Sequence, residues 1–294
     1  MAVTETTTKA LLTPVQPGLF GERWAKWRRR LVVWIPAGFV ILLVALCFLG
    51  PIVLPIPSPT GGSILESRLP PGSPGHLLGT DVDGNDVFSR LLYGGRSSLI
   101  IAVSVNMIGI FFGGLVGAVS GYLGGKPDTV IMRALDVLIA FPSLVITIVI
   151  AQMLGPSMWN TILALTAFSI PAVARISRAA TMRLMQMPFL QAAELSGSPW
   201  WRVLLRHIAP NITPQLINFA MLGMGIVIVT EGALSFLGLG VPPPAPSWGN
   251  MIFQAQQNMS ATPLLVLWPS LALLLTVLAF NLLGENVRDE LSGR

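Results

Sequence analysis

Two carboxylates, Asp136 and Glu231, stand inside otherwise apolar stretches of a 294-residue chain. An acid near a bilayer centre costs about 2.5–3.5 kcal/mol on insertion scales, so residues placed this way are candidates for a proton or ion pathway. Each also has a structural explanation. Arg133 lies three residues before Asp136, close enough on a helix to pair with it. Glu231 falls near the outer end of its stretch. In Gly79–Asp86 (GTDVDGND), Asp81, Asp83 and Asn85 have the 1, 3, 5 spacing of a calcium loop. The glycine required at position 6 is replaced by Asp86, and Gly84 falls at position 4, so a turn feeding a short amphipathic helix, DVFSRLLYGGR, is the better reading. Lys126 follows two glycines, but Pro127 comes next and no glycine lies five before Gly125, so the phosphate-cradling loop of nucleotide-binding proteins is absent. His76 and His207 are the only histidines and fall in segments expected on opposite sides of a membrane, so they supply no nucleophile–base pair. Cys47 is the single cysteine, which excludes an internal disulfide and a multi-thiolate zinc site. The chain is expected to have no catalytic residue, no metal site and no cofactor of its own.

The elements that carry these residues are set by composition. Only 11% of residues are charged and mean hydropathy is +0.72, against about 25% charged in a soluble domain. The surface cannot be covered with polar groups, so a bilayer is the simplest solvent. The positive charges are not gathered on a soluble domain, and no nucleic-acid partner is expected. Membrane helices need about 20 mostly apolar residues, and six stretches qualify: Leu31–Leu54, Ser98–Tyr122, Thr129–Leu154, Asn160–Ala180, Ile212–Phe236 and Leu264–Leu283. The first follows Arg28-Arg29-Arg30; it is too long for the apolar region of a cleaved or twin-arginine signal peptide and reads as an uncleaved anchor. With the N-terminus inside, 15 of the 18 lysines and arginines fall on the inner side and only Arg68, Arg90 and Arg96 outside, which places both termini in the cytoplasm. The expected organisation is a cytoplasmic tail (1–30, disordered over 1–23), a first transmembrane helix (31–54), an extracytoplasmic loop with a short amphipathic helix (55–97), a core of five transmembrane helices (98–284) and a cytoplasmic tail (285–294).

In the second span Gly109, Gly113, Gly117 and Gly121 recur every four residues, a single helix face on which a neighbouring backbone can approach closely. Pro142 and Pro171 are expected to kink their helices, which membranes tolerate when neighbours satisfy the freed groups. Ser104, Asn218, Met221 and Met224 are candidates to line a translocation path, and core packing explains them equally well.

One segment, 189–211, is polar between two membrane-length stretches. Gln191–Ser196 can form a short helix that Ser196-Gly197-Ser198-Pro199 breaks, with Gly197 taking the positive φ that ends it. Ser198 is placed to cap a second helix, Trp200–Ile208, with Pro199 as its first residue and Pro210 separating it from the next span. The residues alone support two readings: a compact helix-turn-helix that fits a cleft on another protein, or a loop that rests on lipid headgroups through Trp200, Trp201, Arg202 and Arg206.

The segment AAELSGSPWWRVLLRHIAPN resembles the EAA loop of ABC-importer permeases, E-A-A-x3-G-x9-I-x-L-P. Ala192, Ala193, Gly197 and Pro210 match, with thirteen residues from glycine to proline. HLLGTDVDGNDVFSRLLYGGRSSL (His76–Leu99), LSFLGLGVPPPAPSWGNMI (Leu234–Ile252) and NLLGENVRDEL (Asn281–Leu291) resemble the C-type permease subunit of oligopeptide and dipeptide importers. The resemblance implies an all-α polytopic permease of six transmembrane helices with the type I ABC importer fold, in the plasma membrane of a prokaryote. It implies a homologous second permease as partner, two ATPase subunits (separate or fused) that bind ATP and magnesium, and an outer solute-binding protein that delivers the peptide and does most of the selecting. ATP-driven closure of the ATPases would rock the permeases, and the chain itself would not be an enzyme. The coupling residues it points to are Gln191, Ala192, Ala193, Glu194, Gly197, Ser198, Pro199, Trp200 and Pro210, the alanines keeping one face thin for docking and the glycine making the turn. Three positions depart from the pattern. Gln191 replaces the leading glutamate, with Glu194 one turn later to compensate; His207 and Ala209 replace the isoleucine and leucine, with Ile208 shifted by one; Asn85 stands where the outer motif often has arginine. A nickel or glutathione importer is the alternative within the class. A secondary transporter would call for paired membrane carboxylates and repeated broken helices, and an intramembrane hydrolase for a nucleophile and base at one depth; neither pattern is evident.

Overall fold

The computed structural model describes residues 19–292, with side chains over 33–286 and at Arg288. The expected tail 1–30 therefore lies mostly outside the described residues. Among them the only extended pairings are two isolated bridges in the loop before residue 87; everything else that is regular is helical. Nine helices carry the fold: α1 (Leu19–Phe48), α2 (Val87–Leu123), α3 (Gly125–Ile139), α4 (Ser143–Leu154), α5 (Met158–Met185), α6 (Pro188–Leu195), α7 (Trp200–Phe236), α8 (Trp248–Gln256) and α9 (Leu264–Ser292).

Among the described residues four of these, α2, α5, α7 and α9, are long and apolar enough to cross a membrane, with a fifth if α3 and α4 count as one; of α1 only Val33–Phe48 enters this comparison. This differs from the six expected spans at two places. In the first, α1 ends at Phe48, six residues before the expected end. A separate turn, Gly50–Val53, follows, and Leu54 is extended because the proline at 55 disfavours the helical region for its predecessor. In the third, α3 and α4 meet at 81° across Ala140-Phe141-Pro142. Pro142 has no N–H to donate and its ring clashes with the preceding turn, so it begins α4 instead of bending one continuous helix.

Two other helices are longer than expected. α2 starts at Val87 because Asp86 caps it, its carboxylate accepting from the Ser89 amide at 2.7 Å; the expected amphipathic helix is thus the first part of the second span. It stays continuous through a π-helical turn at Gly109–Gly113. α7 incorporates the second helix of the polar segment through another π-helical turn, Leu204–Ile208. Pro210 therefore does not separate the two. The wider i→i+5 turn before it relieves the clash an α-helical carbonyl would make with its ring, and the Asn211 side chain donates through Nδ2 to the His207 carbonyl at 2.6 Å.

α2 and α5 pack along the glycine face. A Cβ at Gly113, Gly117 or Gly121 would lie under 3.0 Å from the backbone oxygen of Ile170, Ala174 or Arg178, and one at Gly109 would strike Ser169. The helices approach so closely that Ser177 donates to the Gly114 carbonyl at 2.7 Å. Two apolar clusters result. One gathers Leu99, Ile101, Val105, Ile162, Ile228 and Trp248. The other holds Val173, Leu190, Val203, Leu204, Ile208 and Ile212, at the end where the polar segment emerges. Helix exteriors carry exposed Phe111, Phe112, Trp159, Leu163, Leu274 and Leu278, more apolar surface than a water-soluble monomer tolerates.

Candidate functional site

The polar segment is held by its inner face. Leu190 on α6 and Val203, Leu204 and Ile208 on α7 are buried and pack with Tyr122, Leu184 and Met185. Burying four such side chains contributes about 1.5–3 kcal/mol each, before the entropy cost of ordering them. This anchoring fixes the orientation of what faces outward.

The turn between the helices is a complete Schellman motif. Gly197 has φ +76°; its amide donates to the Glu194 carbonyl at 2.9 Å and the Ser198 amide to the Ala193 carbonyl at 3.2 Å, the pairings that close a helix end with a left-handed residue. The following helix has Pro199, not Ser198, as its N-cap, and no side chain caps it. Ser198 sits one residue too early and half-buried; its hydroxyl faces that of Ser196 at 3.5 Å.

Of the predicted coupling residues, Gln191, Ala192, Glu194, Gly197, Pro199, Trp200 and Pro210 are exposed, and Ala193 and Ser198 half-buried. Glu194 interacts with the Tyr122 hydroxyl at the end of α2, so it has a partner within its own chain. Arg202 stacks over Trp201 at 5.4 Å. Sequence reasoning passed over the large apolar groups of this surface: Leu195 is 89% exposed and Leu205 61%, beside Trp200 at 56%. Each reads as a core residue by type, and only the orientation set by Leu190 and Val203 turns it outward. The segment is thus a preformed, anchored projection with an apolar tip.

Both membrane carboxylates are partnered, Asp136 by a residue other than the one expected. Asp136 pairs with Arg175 on α5, Nη2 to Oδ1 at 2.7 Å, instead of with Arg133 on its own helix. Glu231 is fully buried and accepts from Ser98 at 2.9 Å and Ser235 at 2.7 Å, with Ser247 donating to Ser235 at 3.2 Å. It joins α2, α7 and the start of α8. A second acid, Asp128, accepts from both Nε and Nη2 of Arg178 at 2.5 and 2.6 Å and from Ser120 at 2.6 Å. Opposite charges on neighbouring spans were the available signal for both arginine pairs.

In the loop before α2, Asp81 is committed to the fold. One of its carboxylate oxygens accepts from the Asp83 and Asn85 amides, and Arg90 lies 3.1 Å from the other. Arg90 also donates to Gln254 at 2.8 Å, and His76 meets Asp86 at 2.9 Å. The proposed path residues do not all converge. Ser104 and Met224 line one apolar trench of about 500 Å³ under α1 with Val44, Phe48 and Val103, and neither Asn218 nor Met221 is among its lining residues.

Comparison with known proteins gives a consistent picture. The family described as "Binding-protein-dependent transport system inner membrane component" matches residues 109–292. The glutathione transport system permease protein GsiD of Pectobacterium atrosepticum is 39% identical over 270 residues, covering 92% of this chain and 89% of the relative. The same-named protein of Escherichia coli is also 39% identical. The dipeptide transport system permease protein DppC of Haemophilus influenzae is 35% identical over 289 residues, covering 97% of this chain and 96% of the relative.

Proposed function

The chain belongs to the binding-protein-dependent transport system inner membrane components, and on that premise we propose that it admits short peptides to the cytoplasm as one half of an ATP-driven pore. It is a multi-pass ABC importer permease. The dipeptide and glutathione permeases it resembles support a peptide or peptide-like substrate, and glutathione is the second candidate because two of the three relatives named transport it. The observation that carries the reading is the anchored helix-turn-helix with an apolar tip, a shape suited to the groove of a partner ATPase. Coupling residues are Gln191, Ala192, Ala193, Glu194, Gly197, Ser198, Pro199, Trp200 and Pro210, with Leu195 added from its exposure.

In this proposal α1 supplies the first of six crossings and the bent pair α3–α4 the third. Both termini are cytoplasmic, as the excess of inner lysine and arginine favours. A homologous permease, two ATPases and an outer solute-binding protein complete the importer, and ATP and magnesium bind on the ATPases. Ser104, Asn218, Met221 and Met224 are proposed to line the part of the path carried by α2 and α7.

The test is a mild-detergent pull-down of the tagged chain, followed by uptake in proteoliposomes. A second permease, ATPases and a binding protein should co-purify, and alanyl-alanine or glutathione should enter only with ATP. Uptake by the chain alone without ATP would refute the coupling role.

A further inference from the structure

Arg175 stands on α5, a membrane-length helix of 28 residues, one turn before Arg178. The Asp136–Arg175 pair is nevertheless open, the side chains 42% and 49% exposed. Charges on such a helix face water or protein in preference to hydrocarbon, which makes them candidates for a substrate route. Arg133 projects nearby, exposed and, among the described residues, with no acidic partner within 4.0 Å. These side chains line a groove of about 480 Å³ between α3 and α5, a volume within the usual range for small-molecule sites. The closed end of the groove is Asp128–Arg178, whose carboxylate is already taken by the guanidinium and Ser120. The open part offers two guanidinium groups and one carboxylate.

We propose that Arg133, Asp136 and Arg175 form a subsite that holds the ionised ends of a peptide in transit, the arginines taking its carboxylate and Asp136 its ammonium. This inference rests on the peptide-importer reading. A peptide zwitterion engages both signs of charge along the groove, whereas a lone phosphate would engage only the arginines. A planar guanidinium suits a carboxylate in two-point contact. Loss of one charge-assisted hydrogen bond of this kind lowers binding by about tenfold or more.

The experiment uses the assembled importer in proteoliposomes with its binding protein, and alanyl-alanine and glutathione as probes. Arg133→Gln should lower subsaturating uptake of the imported probe by about tenfold, while Arg133→Lys, which keeps the charge but not the two-point contact, should lose less. A photoreactive benzoylphenylalanine at Met132, which lines the groove, should cross-link that probe. Wild-type uptake with Arg133→Gln unaffected would overturn the subsite alone. So would cross-linking only to phospholipid or to the second permease. Failure of the wild type to import either probe would overturn the peptide reading and the subsite with it.

Discussion

Gly197→Ala isolates the turn that shapes the proposed coupling segment. Nothing lies within 4 Å of a Cβ built at this glycine, so the added methyl meets no neighbour. The cost is confined to the backbone, because φ is +76° and a left-handed residue with a Cβ costs about 1–2 kcal/mol. α6 and the start of α7 stay anchored through buried Leu190 and Val203, so the strain is relieved by opening the turn. If the opened turn cannot dock, the docking-competent population falls by about 5- to 30-fold, and apparent affinity for the ATPases falls by the same factor. The assay is ATPase retention on the immobilised permease at graded ATPase concentration, with the thermal midpoint of the permease measured in parallel. Gly197→Asn should lose less than Gly197→Ala, because asparagine tolerates the left-handed region, and neither should move the midpoint appreciably. Equal losses for asparagine and alanine, or a loss no larger than that of Ser198→Ala, would refute the argument from backbone strain.

Three further outcomes follow from the packing. Gly117→Val drives side-chain atoms into the Ala174 carbonyl on α5 and should destabilise the fold by about 1–3 kcal/mol or more, read as a lowered thermal midpoint in detergent. Trp200→Ala removes a ring that is 56% exposed; it should leave that midpoint unchanged and weaken ATPase retention by about 2 kcal/mol, the scale of an interface hot spot. Arg90→Ala leaves Asp81 and Gln254 without their shared partner in a site where the arginine is only 4% exposed. Removing one member of such a buried pair costs about 3–5 kcal/mol, and the loop over residues 55–86 should become protease-sensitive at temperatures where the wild type resists.

Local chemistry was legible in the sequence wherever it acted locally. The four-residue glycine period identified the face on which α2 meets α5, and Gly197 marked the turn, because each is a backbone requirement written in one residue type. Long-range pairings were not. Nothing local distinguishes Arg133, three residues before Asp136, from Arg175, 39 residues after it; the choice is made by how α3 lies on α5. The break between α3 and α4 was only half visible, since Pro142 predicts a kink but hydropathy runs on unbroken across it. Pro210 misled for the opposite reason. Its usual effect is to stop a helix, and the π-helical turn that accommodates it leaves no signature in residue type. The apolar tip at Leu195 and Leu205 was hidden because a leucine reads the same whether it is packed inward or held outward.

The continuity of α7 has a mechanical consequence. Its 37 residues make a rod of about 55 Å that begins in the projecting helix-turn-helix and ends five residues beyond the Glu231 cluster. The π-helical turn and Pro210 near the projecting end are where it can bend; where they hold, push and response share one stiff member. A 10° tilt about the midpoint would carry each end about 5 Å in opposite directions, so a small pull at the inner surface would arrive outside as a displacement on the scale of the serine–glutamate contacts that fasten α7 to α2 and α8. Those hydroxyls would then act as a latch, setting the force below which the rod does not swing.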